Sequence, residues 1–161
     1  MKPLAALLLP VALTIPAISH ANGDCDKAIE GVQITHHGAD AERARDWGYV
    51  YGKYALKNGS KKTLRFWTYK GEKEPVVLYP LDFTVEKQAY DGWTYDVTAI
   101  DHPEPASAVV TVPPGDRLTF LGQSRPVGPE TYRVKIRQAR GCWIPSEPFK
   151  FTDAAESDQP R

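Results

Sequence analysis

The chain has 161 residues, 42% of them hydrophobic, and its 20 basic residues balance its 20 acidic residues. This length suits one domain with a hydrophobic core of its own. The formal net charge is zero, whereas proteins that bind nucleic acids or anionic lipid surfaces usually carry a surplus of basic residues. We therefore expect no nucleic-acid partner.

The first 21 residues have the pattern of a signal peptide. Lys2 precedes the uncharged apolar run PLAALLLPVALTIPAI, and small residues follow. The small-x-small sequence at residues 19–21 predicts cleavage after Ala21, although a cut after Ser19 also fits and would make His20 the N-terminus. The run is short for a membrane anchor and two prolines interrupt it. We expect a periplasmic or secreted protein without a membrane span once the signal is removed.

The two cysteines, Cys25 and Cys142, predict a single disulfide bond. Cysteines of exported proteins usually pair, and the close spacing of redox or metal-binding cysteine pairs is absent here. The bridge would enclose nearly the whole domain and stabilise it by about 4–5 kcal/mol in the chain-entropy model.

Short runs of apolar residues, most of them alternating with polar ones, follow one another along the chain and predict β-strands. The segment 28–35 alternates briefly, and residues 40–45 allow either one helical turn or a loop. Pro, Gly and Asn separate the later runs, which predict about eight strands in an all-β, immunoglobulin-like antiparallel β-sandwich over residues 22–152. The polar tail, residues 153–161, is expected to be disordered. The runs cover residues 49–56, 63–69, 76–78, 83–88, 93–97, 110–112, 118–120, 132–136 and 146–152.

Four local patterns resemble the bacterial immunoglobulin-like domains of exported proteins, which are related in shape to fibronectin type III modules. They are Leu56-Lys-Asn-Gly-Ser60 followed by Leu64-Arg-Phe66, the pair Gly92-Trp93, Val112-Pro-Pro-Gly115 followed by Leu118-Thr-Phe120, and Gly128-Pro-Glu-Thr-Tyr132-Arg-Val134. The resemblance implies a sandwich in which the Tyr132 hydroxyl bonds to the loop before its strand, the tyrosine corner. It implies binding roles, as adhesive modules, accessory domains or inhibitors, and no shared catalytic residues.

No pattern of residues predicts catalysis or a resident cofactor. The chain has no Gly-x-Ser-x-Gly elbow and no cysteine left over after pairing, so we expect a protein that is not an enzyme. His36 and His37 are adjacent and would point to opposite sides of a strand, which argues against one metal site. An alternative copper carrier or oxidase would use His20 as the N-terminal residue, with His36, His37 or His102.

Aromatic side chains are the best candidates for a binding surface. In the run at 63–69, Leu64 and Phe66 alternate with residues that would face the other way, flanked by Arg65 and Lys70. An exposed strip of this kind anchors protein or glycan partners. The candidate binding residues are Trp67, Tyr69, Trp93 and Tyr95.

The sequence thus predicts a non-catalytic binding protein, an inhibitor or accessory factor of another exported or envelope protein. The loops at residues 101–105 and 123–127 are the candidate loops for contact with this partner. No cofactor and no metal are expected.

Overall fold

A computed structural model describes residues 28–40, 50–96, 104–124, 129–139 and 141–151 of the chain. These residues form an all-β structure, with one short 3-10 helix at Pro80–Asp82 and no helix long and apolar enough to cross a membrane among them. The strands are β1 Val32–Asp40, β2 Val50–Asn58, β3 Leu64–Thr68, β4 Val76–Val77, β5 Phe83–Ala89, β6 Gly92–Asp96, β7 Ala108–Val112, β8 Arg117–Ser124, β9 Tyr132–Arg137 and β10 Trp143–Pro145.

The strands form two four-stranded sheets and one strand pair. The first sheet has the order β1-β2-β8-β4, in which β4 runs parallel to β8 and the other pairings are antiparallel. The second sheet has the order β10-β9-β5-β6 and is antiparallel throughout. The third unit is the antiparallel pair β3-β7. Strands distant in sequence are neighbours in both sheets, so most of the pairing is long-range.

One hydrophobic core joins the three units. On β9, Tyr132, Val134 and Ile136 are fully buried, as the period of two predicts for one face of a strand. Burial of apolar surface is the main contribution that stabilises such a fold, and each Å² removed from water contributes about 25 cal/mol. The core cluster draws on the first sheet (Ile34, Tyr54, Leu56, Val76, Leu118, Phe120), the second sheet (Phe83, Val85, Tyr132, Val134, Ile136, Ile144) and the strand pair (Leu64, Phe66, Val112).

The turn after β2 is organised by the buried side chain of Asn58. Its Nδ2 donates to the carbonyls of Lys62 and Val112, each at 2.8 Å, and its Oδ1 accepts from the backbone N–H of Ser60 at 3.1 Å and from the Ser60 hydroxyl at 2.7 Å. The amide therefore satisfies both its donors and its acceptor. This network fastens the turn to the end of β7.

The alternating runs predict the all-β class correctly, and the described residues alone form ten strands where about eight were expected. The early segment at residues 28–35 belongs to a strand only from Val32, where β1 begins; β1 then extends to Asp40. Residues 40–45 allowed either a helical turn or a loop; Asp40 is the last residue of β1, and residues 41–45 fall outside the described ranges. The signal peptide and the tail also lie outside them.

The predicted last strand at residues 146–152 is wrong. The strand lies earlier, at β10, and Phe149 follows with only an isolated bridge to Tyr132. Pro145 and Pro148 have no backbone N–H, so a regular ladder cannot continue through this segment. The Phe149 ring stacks on that of His36 at 4.3 Å, and the Phe151 ring lies 4.8 Å from that of Tyr132. The spacing of the two phenylalanines reflects aromatic packing.

Candidate functional site

The second sheet presents a charged outer face because of the alternation in β9. Tyr132, Val134 and Ile136 point into the core, so the intervening Arg133, Lys135 and Arg137 point outward. Pairing of β5 with β9 places Glu86 opposite Arg133, and pairing of β6 with β5 places Tyr95 opposite Glu86. Three cations therefore lie between acidic and aromatic neighbours.

Glu86 holds two of these cations. Its Oε2 accepts from Arg133 Nε at 2.6 Å, and its Oε1 lies 3.1 Å from Lys135 Nζ. The side chains of Lys135 and Glu86 are only 3% and 5% exposed, although they point away from the core. Burial of a charged pair costs desolvation energy that only close geometry and full pairing offset. Other side chains must therefore cover this ion pair.

Aromatic rings lie beside all three cations. The Arg133 guanidinium lies 4.4 Å from the Trp93 ring centroid, and Lys135 Nζ lies 5.7 Å from the rings of both Tyr95 and Trp143. The Arg137 guanidinium lies 5.4 Å from the Trp143 ring. Such cation–π contacts fix the rings in place and add about 0.5–2 kcal/mol each. We call this surface the aromatic–cation face; it consists of Glu86, Trp93, Tyr95, Arg133, Lys135, Arg137 and Trp143.

The β5–β6 hairpin carries exposed aromatic groups at one edge of this face. Tyr90 at the hairpin tip is fully exposed, Tyr95 is 66% exposed and Trp93 is half-buried. Within the described ranges, β6 pairs only with β5, so it is the edge strand of the second sheet. Exposed tyrosines and a sheet edge are both common sites of protein association.

Asp82 and Arg137 form a second ion pair at the other side of the face. Asp82 Oδ1 accepts from Arg137 Nε at 2.8 Å and from Nη2 at 2.6 Å. Burial raises the pKa of Asp82 above its ordinary value, while the hydrogen bonds and charge of Arg137 lower this pKa and offset part of the effect. Both contacts involve the same oxygen, and Oδ2 is buried with no hydrogen-bond partner among the described residues.

Two cavities adjoin Trp67 in the neighbouring strand pair. One, of about 300 Å³, is lined by Thr63, Arg65, Trp67, Val109, Gln138 and Ala139. The other, of about 240 Å³, is lined by Trp67, Tyr79, Asp82, Arg137, Gln138, Ala139 and Gly141. We call the two together the Trp67 cleft.

The loop between β9 and β10 forms a wall of the cleft. The Ala139 backbone N–H donates to the Arg65 carbonyl at 2.8 Å, and Trp67 Nε1 donates to the Ala139 carbonyl at 3.0 Å. These two bonds fix the loop against β3, which joins the strand pair to the second sheet. The walls of the cleft are thus held by hydrogen bonds on both sides of Ala139.

The structure divides the four predicted aromatic residues between two places. Trp67 and Tyr69 are half-buried on or beside β3, and they alternate with buried Leu64 and Phe66 as expected. Trp93 and Tyr95 belong to β6 and the aromatic–cation face. Their role in binding stays a prediction.

The described residues bring no metal site together. His36 packs in an aromatic cluster, whereas exposed His37 contacts the hydroxyl of Thr35 at 2.9 Å through its Nε2. Within the described ranges, no group of three or more His, Cys, Asp or Glu side chains could hold a metal ion. His20 and His102 lie outside those ranges, so the copper alternative stays a hypothesis.

Several predictions fall wholly or partly outside the described residues. Cys25 is one of them, and the described part of the chain contains no free cysteine. The Cys25–Cys142 bond stays a prediction. The two candidate loops are described only at Glu104, Pro105, Gln123 and Ser124. The Tyr132 hydroxyl lies 3.0 Å from the Glu130 carboxylate in the segment just before β9, and the backbone bond of a tyrosine corner stays a prediction.

Sequence reasoning missed most of the aromatic–cation face. A signal for it exists, because three basic residues occupy alternate positions of a strand whose other residues are apolar, so all three must share its outer face. The sequence does not reveal which acidic and aromatic side chains meet them. Those missed partners are Glu86, Asp82 and Trp143.

Comparisons with known proteins leave the family open. No protein-family model matches the chain, and no curated protein matches it. Among solved structures, the X-ray structure of a Northeast Structural Genomics Consortium target is similar over 82% of this chain and 94% of its own, at 8% identity and a TM-score of 0.37. A likeness this distant carries no argument about function.

Proposed function

We propose that this chain is an exported, non-catalytic binding protein that uses the aromatic–cation face to bind another exported protein. The proposed scaffold is an immunoglobulin-like β-sandwich closed by the Cys25–Cys142 disulfide. The observation that carries the proposal is the burial of the Lys135–Glu86 ion pair beneath Tyr95 and Trp143 on an outward-facing surface. This burial supports the view that the face is rigid and that its aromatic side chains are ordered before a partner binds.

The composition of this face supports a protein partner. Protein interfaces are enriched in Trp, Tyr and Arg, and these residues dominate the binding energy where they are held rigidly. Trp93 is held by Arg133 and Trp143 by Arg137, so ordering them on binding costs little entropy. Because Arg133 and Arg137 are already paired with acids, the face does not select for a strongly acidic partner.

The edge strand β6 supports a specific mode of contact. An extended segment of the partner can add beside an edge strand through main-chain hydrogen bonds, and neighbouring side chains then give selectivity. Tyr90 and Tyr95 would provide those side chains. The partner would be either inhibited by this contact or assisted in its assembly.

Site-specific photo-crosslinking in the producing cells tests the proposal. A photoreactive phenylalanine analogue replaces Tyr95 in one variant and, as a matched control, exposed Lys57 on β2 of the first sheet in another. We expect the Tyr95 variant to cross-link to one exported protein and the Lys57 variant to leave that protein unlinked. Equal cross-linking from both positions, or none from Tyr95, would refute the role of this face. N-terminal sequencing of the same purified protein tests export, with Asn22 expected as the first residue.

A further inference from the structure

We propose that the Trp67 cleft binds an acidic saccharide, with a sugar ring on the Trp67 indole and its carboxylate on the Arg65 guanidinium. This site belongs to β3, the loop between β9 and β10, and the 3-10 helix, and does not use the exposed aromatics of β6. The cleft shares Arg137 with the aromatic–cation face, but the inference does not rest on the proposed protein partner.

The indole of Trp67 provides the stacking surface. Its only polar group, Nε1, already donates to the Ala139 carbonyl at 3.0 Å, so the part of the ring left for a ligand is apolar. Trp67 lines both cavities, which together have the size of a small-ligand site. A flat apolar ring fixed by a hydrogen bond at its edge suits the C–H face of a pyranose.

Arg65 provides the positive charge. Its side chain is exposed, and within the described ranges no acidic group pairs with its guanidinium, whereas Arg133 and Arg137 each pair with an acid at 2.6 Å. A guanidinium matches the two oxygens of a carboxylate through paired N–H donors. Arg65 therefore selects a ligand with a carboxylate next to the group that stacks on Trp67.

The remaining polar groups favour a ligand with several hydroxyls. Thr63, Tyr79 and Gln138 bring side chains that both donate and accept, and Asp82 brings an acceptor. Asp82 is 4% exposed at its side chain, and its Oδ2 lacks a hydrogen-bond donor among the described residues. A buried acceptor without a donor is costly, and a ligand hydroxyl can supply that donor.

An acidic peptide is the competing occupant and fits less well. Its carboxylates would find Arg65 on one side of Trp67 but would meet the Asp82 carboxylate in the adjoining cavity. Arg137, which lines the same cavity, is already paired with Asp82, so an acidic side chain gains little from it, whereas a neutral hydroxyl can donate to Asp82 Oδ2. A uronic acid carries one carboxylate per ring and several neutral hydroxyls, which match the Arg65 guanidinium and the Asp82 acceptor.

Nuclear magnetic resonance titration of the purified, full exported protein tests the proposal. The probes are trimers of galacturonic, glucuronic and mannuronic acid, with a neutral glucose trimer and a glutamate tripeptide for comparison. We expect at least one uronate trimer to shift the Trp67 indole and Ala139 amide signals, with Trp67→Phe identifying the indole. Arg65→Gln should weaken this binding at least about tenfold, as loss of a charge-assisted bond does. Arg117→Gln removes the same charge from β8, which lines neither cavity, and should leave binding unchanged.

Four outcomes would overturn the proposal. They are the absence of binding by all three uronate trimers, equal binding of the glucose trimer, unchanged affinity in Arg65→Gln, and binding of the glutamate tripeptide in preference to every uronate. The amide spectrum of Arg65→Gln serves as the folding control. Because Tyr95 is outside the cleft, these results do not depend on the cross-linking outcome.

Discussion

Lys135 Nζ lies 3.1 Å from Glu86 Oε1, and both side chains are almost fully buried on the face of the second sheet that points away from the core. Tyr95 on β6 and Trp143 on β10 provide the cover, from opposite edges of the sheet. Two aromatic rings thus flank the lysine of this buried ion pair. Stability and the proposed binding surface therefore share the same residues.

Removing one member of this pair should be far more harmful than removing both. Glu86→Leu leaves Lys135 charged and buried, and we expect a loss of about 3–5 kcal/mol in the free energy of unfolding. The double variant Glu86→Leu/Lys135→Met should recover most of that loss, because the buried lysine is gone and Arg133, which also loses its carboxylate, is 24% exposed and can be solvated. Urea unfolding of both variants and the parent measures this. A double variant as unstable as Glu86→Leu would contradict it.

Gly122 on β8 should not tolerate a side chain. A Cβ at this position would overlap the ring of Phe83, which belongs to the core, so Gly122→Ala requires that ring to move. We expect a loss of about 1–3 kcal/mol, the usual cost of overpacking. Urea unfolding checks this, with the neighbouring Gln123→Ala as a control of smaller effect. If the clash is the cause, adding Gly122→Ala to a Phe83→Leu background should cost less than adding it to the parent.

Asp82 should make the fold less stable as the pH rises. Burial raises the pKa of Asp82 in the folded state, so the folded protein holds this proton more tightly than the unfolded chain. The contribution to stability is fully present below the unfolded pKa of about 3.9 and is lost as the pH rises through the folded pKa. Urea unfolding from pH 3 to 7 should show the parent losing stability relative to Asp82→Asn. A difference that grows in the parent's favour with pH would mean that Arg137 outweighs burial.

The predicted Cys25–Cys142 bond has two measurable consequences. The protein purified from an oxidising compartment should show no reactive thiol unless it is unfolded and reduced, and its intact mass should rise by about 2 Da on reduction. The double variant with Ala at both positions should lose about 4–5 kcal/mol of unfolding free energy, less any strain in the bond. Free thiols in the unfolded, unreduced protein would refute the bond.

Local alternation was the most reliable signal in the sequence. The period of two in Leu64/Phe66 and in Tyr132/Val134/Ile136 predicts which residues are buried, because successive side chains of a strand point to opposite sides. It fails at Phe149 and Phe151, whose spacing resembles a strand although neither belongs to one. Pro145 and Pro148 remove the donors there, and aromatic packing produces the same spacing.

The sequence by itself determined the all-β class, most strand positions and the buried face of β9, since these depend on side-chain polarity over a few neighbouring residues. Only the tertiary structure decided that Glu86, Lys135 and Trp143 meet, or that Trp67 adjoins Asp82 and Gln138. Those contacts join strands far apart in the chain. They follow from the order of strands in the sheets and from the packing of the β9–β10 loop on β3. Neither can be inferred from patterns of neighbouring residues in the sequence.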